Sequence, residues 1–252
     1  MAGTAVLGRL TWQVGTVTAL REETSTARTI VVGLPQWPGH LAGQHVDVRL
    51  TADDGYSAQR SYSIASAPAN GNLELTVQRL PDGEVSSYLA DLLEVGYPLE
   101  LRGPIGGWFV WEPDTQAPVM LVAGGSGVVP LMAMIRTREA AGSKAPFRLV
   151  YSVRSPDTEL YKNELAERQR RGDGLDVTYV YTRTTPPGWP VRPGRISPGV
   201  LASAGWPPGQ HPAVFVCGPT PFVEAVANLL VNAGHDPRNI KTERFGPTGG
   251  KS

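Results

Sequence analysis

Cysteine is almost missing from this chain: Cys217 is the only one in 252 residues. A single thiol forms no intramolecular disulfide, no four-cysteine zinc site and no cysteine-ligated iron–sulfur cluster. Histidine is scarce too, and His40, His45, His211 and His235 show no ligand spacing, so no metal site is expected. Net charge is absent, with 23 Lys and Arg against 23 Asp and Glu. That balance removes the positive field that gathers nucleic acid, while leaving room for a local basic cleft around a dinucleotide. A long apolar run is lacking as well. The uncharged stretch from Val119 to Ile135 holds Gly124, Gly125, Gly127 and Pro130, and it is shorter than the roughly 20 apolar residues a membrane helix needs. Between Met1 and Trp12 no basic segment leads into an apolar core, so no cleaved signal is expected and the chain is expected to stay in the cytoplasm.

What is present is length for two cores and an ordinary globular composition. No internal repeat is visible. The first half, to about Glu112, reads as strands. In His45 to Leu50, and again in Asn72 to Gln78, apolar and polar residues alternate, which gives one buried and one wet face. Pro35, Gly39, Asp54-Gly55, Asn70-Gly71 and Gly103-Pro104 punctuate these runs, and one helix is predicted near Ser86 to Leu93. After the proline-bounded linker Pro113 to Pro118, short apolar strands alternate with helices. These are Val119 to Ala123 then Pro130 to Ala140, Arg148 to Ser152 then about Leu160 to Gln169, Asp176 to Tyr181, and Ala213 to Cys217 then Pro221 to Ala233. The spacing predicts two domains: an antiparallel Greek-key β-barrel over residues 1–113, and an α/β, Rossmann-like parallel sheet over 114–252. Thr184 to Pro212, rich in Pro and Gly, reads as long loops around one short helix.

Several short motifs fall within or beside these elements. In an extended Arg60-Ser61-Tyr62-Ser63, Arg60 and Tyr62 project to one side and Ser61 and Ser63 to the other. A phosphate-gripping guanidinium and an aromatic ring then lie in line. Gly124-Gly125-Ser126-Gly127 follows an apolar strand, and Pro130 suits the first turn of the helix after it. The last position of a Gly-x-Gly-x-x-Gly dinucleotide fingerprint is here Pro130. Cys217-Gly218-Pro219 ends another apolar strand, where a buried cysteine is the plain alternative. Gly83-Glu84-Val85-Ser86-Ser87 opens the predicted helix, whose amide groups attract phosphate and which Ser86 or Ser87 is suited to cap. Gly246 to Ser252 is one residue short of a phosphate-binding Gly-Lys-Ser loop and has no helix after it.

In this order the motifs resemble the ferredoxin-NADP reductase superfamily over about residues 10 to 246. The resemblance implies that Arg60 meets a flavin phosphate, Tyr62 packs on the isoalloxazine, Ser63 hydrogen-bonds near its N5, and Ser61 belongs to the same element. It makes Gly83, Val85, Ser86 and Ser87 a second flavin element. Gly125, Ser126, Gly127 and Pro130 receive the nicotinamide dinucleotide, Cys217 lies beside the nicotinamide C4, and Gly218 and Pro219 follow it. Glu243-Arg244-Phe245-Gly246 matches a C-terminal element with an acid near the flavin and an aromatic over its face, although several relatives stop at the aromatic. Ser63, Cys217 and Glu243 are thus the expected catalytic residues.

Arg154, Thr182 and Arg183 lie at predicted strand ends, with Arg195 beyond, where an adenosine ribose is read. Basic residues there favour the extra phosphate of NADPH, while Asp157 keeps NADH open. The expected cofactor is FAD, with FMN as the alternative. The expected activity is hydride transfer from NAD(P)H to the flavin, then electron release to a separate acceptor such as a ferredoxin, an oxygenase or molybdenum-type component, a haem protein or free flavin. Two other readings stand beside it: a flavin reductase that releases reduced flavin, and a non-catalytic flavin-binding interaction subunit.

Overall fold

In the computed structural model, residues 10–68 and 72–246 are described. Asn70-Gly71 and the Gly-Lys-Ser ending fall outside the described residues. The chain builds two sheets. β1 (Trp12–Thr24), β2 (Ala27–Gly33), β3 (His45–Thr51), β4 (Ser57–Ser63), β5 (Leu73–Gln78) and β6 (Pro98–Ile105) form an antiparallel sheet in the order β4-β3-β6-β1-β2-β5. An Ile64–Leu75 bridge and the Ala65 N–H on the Glu74 carbonyl, at 2.8 Å, join its two edges into a barrel. The period-two pattern delivers the barrel core: Val46, Val48, Leu73, Leu75 and Val77 all point inward and are essentially dry. Each such side chain contributes about 1.5–3 kcal/mol of burial.

The Gly103-Pro104 pair, expected as a turn, lies inside β6. The β3–β6 register shifts between His45 and Asp47, opposite this pair. Proline has no N–H to give a ladder, so the strand is accommodated at an irregularity. The helix expected at Ser86 to Leu93 is a short α1 (Glu84–Ser87) running into a π-helical turn, Tyr88–Leu92.

The second sheet is parallel, in the order β11-β10-β7-β8-β9. Its strands are β7 (Val119–Gly124), β8 (Phe147–Val153), β9 (Leu175–Tyr181), β10 (Ala213–Pro219) and β11 (Ile240–Phe245), and its helices are α2 (Val128–Ala140), α3 (Lys162–Arg171), α4 (Pro198–Ala204) and α5 (Thr220–Asn232). The short α4 lies in the Pro- and Gly-rich segment and is followed there by a 3-10 turn, Pro208–Gln210. No helix among the described residues is long and apolar enough to cross a membrane.

α2 is unusual in being buried on every side from Val128 to Arg138. One cluster packs it against Phe147, Leu149 and Tyr151 of the parallel sheet, and against Ala27, Ala42 and Ala65 of the barrel. Its Arg136 bonds the Ala65 carbonyl at 2.8 Å and Glu74 at 2.9 Å on the barrel, and Glu164 of α3 at 2.6 Å. Tyr161, whose φ of 57° is left-handed, donates its hydroxyl to Thr76 of β5 at 2.5 Å. The barrel and the parallel sheet therefore share a core rather than a thin hinge.

Candidate functional site

On the barrel side, β4 is an edge strand paired only with β3 within the sheet. Tyr62 and Arg60 stand opposite the inward Val46 and Val48, while Ser63 and Ser61 stand opposite His45 and Asp47. Tyr62 packs on the barrel core, and burial pushes its phenol up to about 12, so it is a neutral ring at all working pH values. Arg60 is exposed, and its guanidinium bonds only the carbonyl of Gln59, at 2.7 Å, among the described residues. Ser61 gives its hydroxyl proton to Asp47 at 2.7 Å.

α1 packs beside β4. Its N-cap is Gly83, with no side-chain cap. The Ser86 hydroxyl instead folds back to accept from the Leu80 N–H and donate to the Gly83 carbonyl, both at 3.1 Å, and it occupies the space a Gly83 Cβ would need. Val85 is sunk in the barrel core. Of this element, Gly83 and Ser87 lie nearer the surface, while Val85 and Ser86 offer a ligand backbone amides rather than side chains.

On the parallel sheet, the ends of β7 and β10 meet. Gly124 and Gly218 face each other across Phe222, and a Cβ on either would sit 2.7 Å from that ring. A Cβ on Gly127 would collide with the Cys217 carbonyl oxygen and stand 2.8 Å from the Gly218 nitrogen. Gly125 differs: its φ is +55°, and nothing lies within 4 Å of where its Cβ would be. Two glycines therefore pack the turn closed, and one leaves it open beside Ser126. Pro130 lies in the first turn of α2 and is buried.

Between the two sides the strand ends converge. Cys217 is the register partner of Glu243 on β11, and Pro219 that of Phe245, whose ring is 38% exposed. Glu243 Oε1 lies 3.8 Å from His45 Nδ1, and His45 pairs with Ser63. Ser63, His45, Glu243 and Cys217 thus form one line from barrel to sheet. Burial pushes the Glu243 carboxyl up to about 7 and pushes His45 below its ordinary value, a trend the Asp47 charge opposes. Burial, followed by the Glu243 charge, pushes the Cys217 thiol up, so it stays protonated. His45 carries no sequence pattern that marks it; only the β3–β4 register and the approach of β11 bring it here.

At the other end of the parallel sheet's carboxyl edge, Arg183 and Thr184 donate backbone N–H groups to the Arg154 carbonyl at 2.9 and 3.1 Å, and Thr182 bonds the Val153 carbonyl. Gly194 returns the loop to Tyr181 at 2.9 Å, which carries Arg195 back toward them. The three arginines are exposed, and none forms an ion pair among the described residues. Asp157 is exposed and held ionised by Ser155.

These features fit a flavin and a pyridine dinucleotide. Among the described residues, Glu243 Oε2 is buried with no hydrogen-bond partner, and nothing fills the space at Gly125. Comparison with known proteins agrees. Residues 15–110 match the oxidoreductase FAD-binding domain, and residues 121–228 match the oxidoreductase NAD-binding domain. The chain is 34% identical over 211 residues to the glycine betaine monooxygenase reductase subunit of Chromohalobacter salexigens, covering 82% of this chain and 56% of the relative. It is 30% identical over 240 residues to the ferredoxin–NAD(P)(+) reductase component of the naphthalene 1,2-dioxygenase/salicylate 5-hydroxylase systems of Ralstonia, covering 93% of this chain and 69% of the relative. The structure of the Amycolatopsis cytochrome P450 reductase GcoB superposes with a TM-score of 0.82 at 28% identity, covering 98% of this chain and 74% of that one. The chain thus spans little more than half the length of some of the curated relatives it matches. With barrel, parallel sheet and both domain matches in the same order, the chain belongs to the ferredoxin-NADP reductase superfamily.

Proposed function

We propose that this chain is an NAD(P)H-dependent flavoprotein reductase that takes hydride from a nicotinamide and passes electrons to a separate acceptor protein. The observation that carries the reading is the line Ser63–His45–Glu243–Cys217, which brings barrel and parallel sheet together at the carboxyl ends of β10 and β11. A bound flavin supplies the step from two-electron uptake to one-electron release.

The chain's own residues do the rest. Arg60 grips a flavin phosphate with its exposed guanidinium, helped by the backbone amides of Gly83 to Ser87. Tyr62 offers a neutral ring for the isoalloxazine, and Phe245 shields its other side. Gly125, Ser126 and Gly127 leave backbone room for the pyrophosphate of the nucleotide. Cys217 and Gly218 limit where the nicotinamide ring sits, which removes much of the entropic cost of alignment. Ser63, His45 and Glu243 hold a proton at the seam, because Glu243 titrates near neutrality. Arg154, Thr182, Arg183 and Arg195 read a 2′-phosphate, which favours NADPH. FAD is favoured over FMN by the FAD-binding match over residues 15–110. The reductase components among the named relatives point to an oxygenase component or its ferredoxin as the acceptor class.

Anaerobic mixing of the purified, FAD-loaded protein with NADPH or NADH tests this directly. The visible flavin absorbance is expected to bleach, faster with NADPH. A protein that takes up no flavin, or whose flavin neither nucleotide bleaches, overturns the reading. A colourless protein that oxidises NADPH only with free flavin added belongs instead among reductases that release reduced flavin.

A further inference from the structure

The outer face of the barrel carries a charged row that the reductase reading leaves unused. Ser61 on β4, Asp47 on β3, Arg102 on β6 and Trp12 on β1 are successive register partners across four strands. Ser61 Oγ donates to Asp47 Oδ1 at 2.7 Å, and Arg102 Nη2 donates to Asp47 Oδ2 at 2.6 Å. The Arg102 guanidinium lies 4.8 Å from the centre of the Trp12 ring, and Arg49, itself paired with Glu100 at 2.6 Å, covers the same ring at 4.2 Å. Asp47 is only 9% exposed. A carboxylate so far from water is costly unless both oxygens are bonded. Here burial works against the charge, yet the bonds from Arg102 and Ser61 hold the Asp47 carboxyl below the usual carboxylate range.

Position gives this charge a use. Asp47 and His45 are two residues apart on one strand, so they share a face, about 7 Å from each other. We propose that Asp47 is a positioning residue for the His45–Glu243 pair: its carboxylate, held in place between Ser61 and Arg102, sets a negative charge on the His45 face that offsets part of the burial acting against an imidazole proton.

The other charged groups around His45 do not substitute for it. β4 presents the neutral Ser63, and β6 presents the apolar Ile105, with Arg102 beyond it opposite Asp47. β11 presents Glu243, buried and near neutral, with Lys241 turned away to bond the Val110 carbonyl at 3.0 Å. On β10 the Cys217 thiol is protonated. Farther along β3, Arg49 lies four residues from His45 and is paired with Glu100.

The inference rests on the reductase reading for its purpose, but its test does not need turnover. The imidazole resonance of His45 is followed by proton NMR as pH is varied in the whole 252-residue chain, with His45→Gln identifying the signal. Asp47→Asn is expected to lower the His45 midpoint by about one pH unit, the size of a charge interaction over this distance at intermediate dielectric. Arg102→Met is expected to raise it, because the Asp47 charge loses its counterion. General damage to the barrel does not move the midpoint in opposite directions. Should Asp47→Asn not fold, Asp47→Ser, which also removes the charge, is expected to give the same downward shift. An unchanged or raised midpoint in Asp47→Asn overturns the assignment of Asp47, whatever Arg102→Met does. A failure to bind or reduce flavin sinks the reductase reading and leaves the titration result standing.

Discussion

Gly127 lies against the backbone of Cys217 so closely that no Cβ fits between them. The turn after β7 and the turn after β10 are thereby one unit, in which the segment assigned to the pyrophosphate and the residue assigned to the nicotinamide fix each other. Gly127→Ala is expected to force the two turns apart. The obstacle is backbone, not a flexible side chain, so a loss of about 1–3 kcal/mol in stability is expected. Urea unfolding measures it, and a nicotinamide titration is expected to show weaker binding in the same variant. An unchanged affinity would mean that the two turns act separately.

Glu243 ties the site to a pH-dependent stability. Its carboxyl is raised to about 7 by burial, so the native state favours its protonated form. That contribution is complete below the ordinary carboxylate range and is lost as pH climbs through about 7. Glu243→Gln removes the penalty of ionisation. It is expected to leave stability unchanged near pH 4 and to raise it by about 2–3 kcal/mol above pH 8, as measured by denaturant melts at both values. Equal stability of variant and wild type at high pH would show that His45 or solvent fully compensates the charge.

Arg136 is the charged centre of the shared core, bonded to Glu74 on the barrel and Glu164 on α3. Those partners hold its guanidinium above the ordinary arginine value against the opposing pull of burial. Arg136→Met keeps the apolar stem and removes the charge, leaving two half-buried carboxylates short of a partner. The expected loss is about 3 kcal/mol, because Arg21 still reaches Glu74 and Arg168 still reaches Glu164. Chemical denaturation gives the value.

Arg183→Ala is expected to raise the KM for NADPH about tenfold, the size of one charge-assisted phosphate bond. The KM for NADH is expected to change less than about twofold by the same reasoning. Steady-state kinetics with both nucleotides decides; equal changes remove Arg183 from the 2′-phosphate.

The sequence made the short elements readable and the long-range ones opaque. β3 and β5 show clean alternation because each has one dry face, and the Gly124 and Cys217-Gly218 motifs sit at the ends of short apolar strands. β1 hid because register shifts between Val17 and Ala19, and between Glu22 and Thr24, break its period. Arg136 and Arg138 are charged, yet both are buried, since α2 has no wet side until its end. His45 looked like any scattered histidine. Its partner Glu243 is a strand neighbour of nothing in the barrel, and only the docking of β11 against β3 brings the two within reach.

That α2 is enclosed all the way round has a practical result for anyone who would divide this molecule. A cut at the proline-bounded linker would strip the barrel of the wall that seals Ala27, Ala42 and Ala65, and would bare a greasy flank on the remaining piece. Neither fragment is expected to dissolve or melt as a tidy unit, and the two halves are best produced, and best thought of, as a single body.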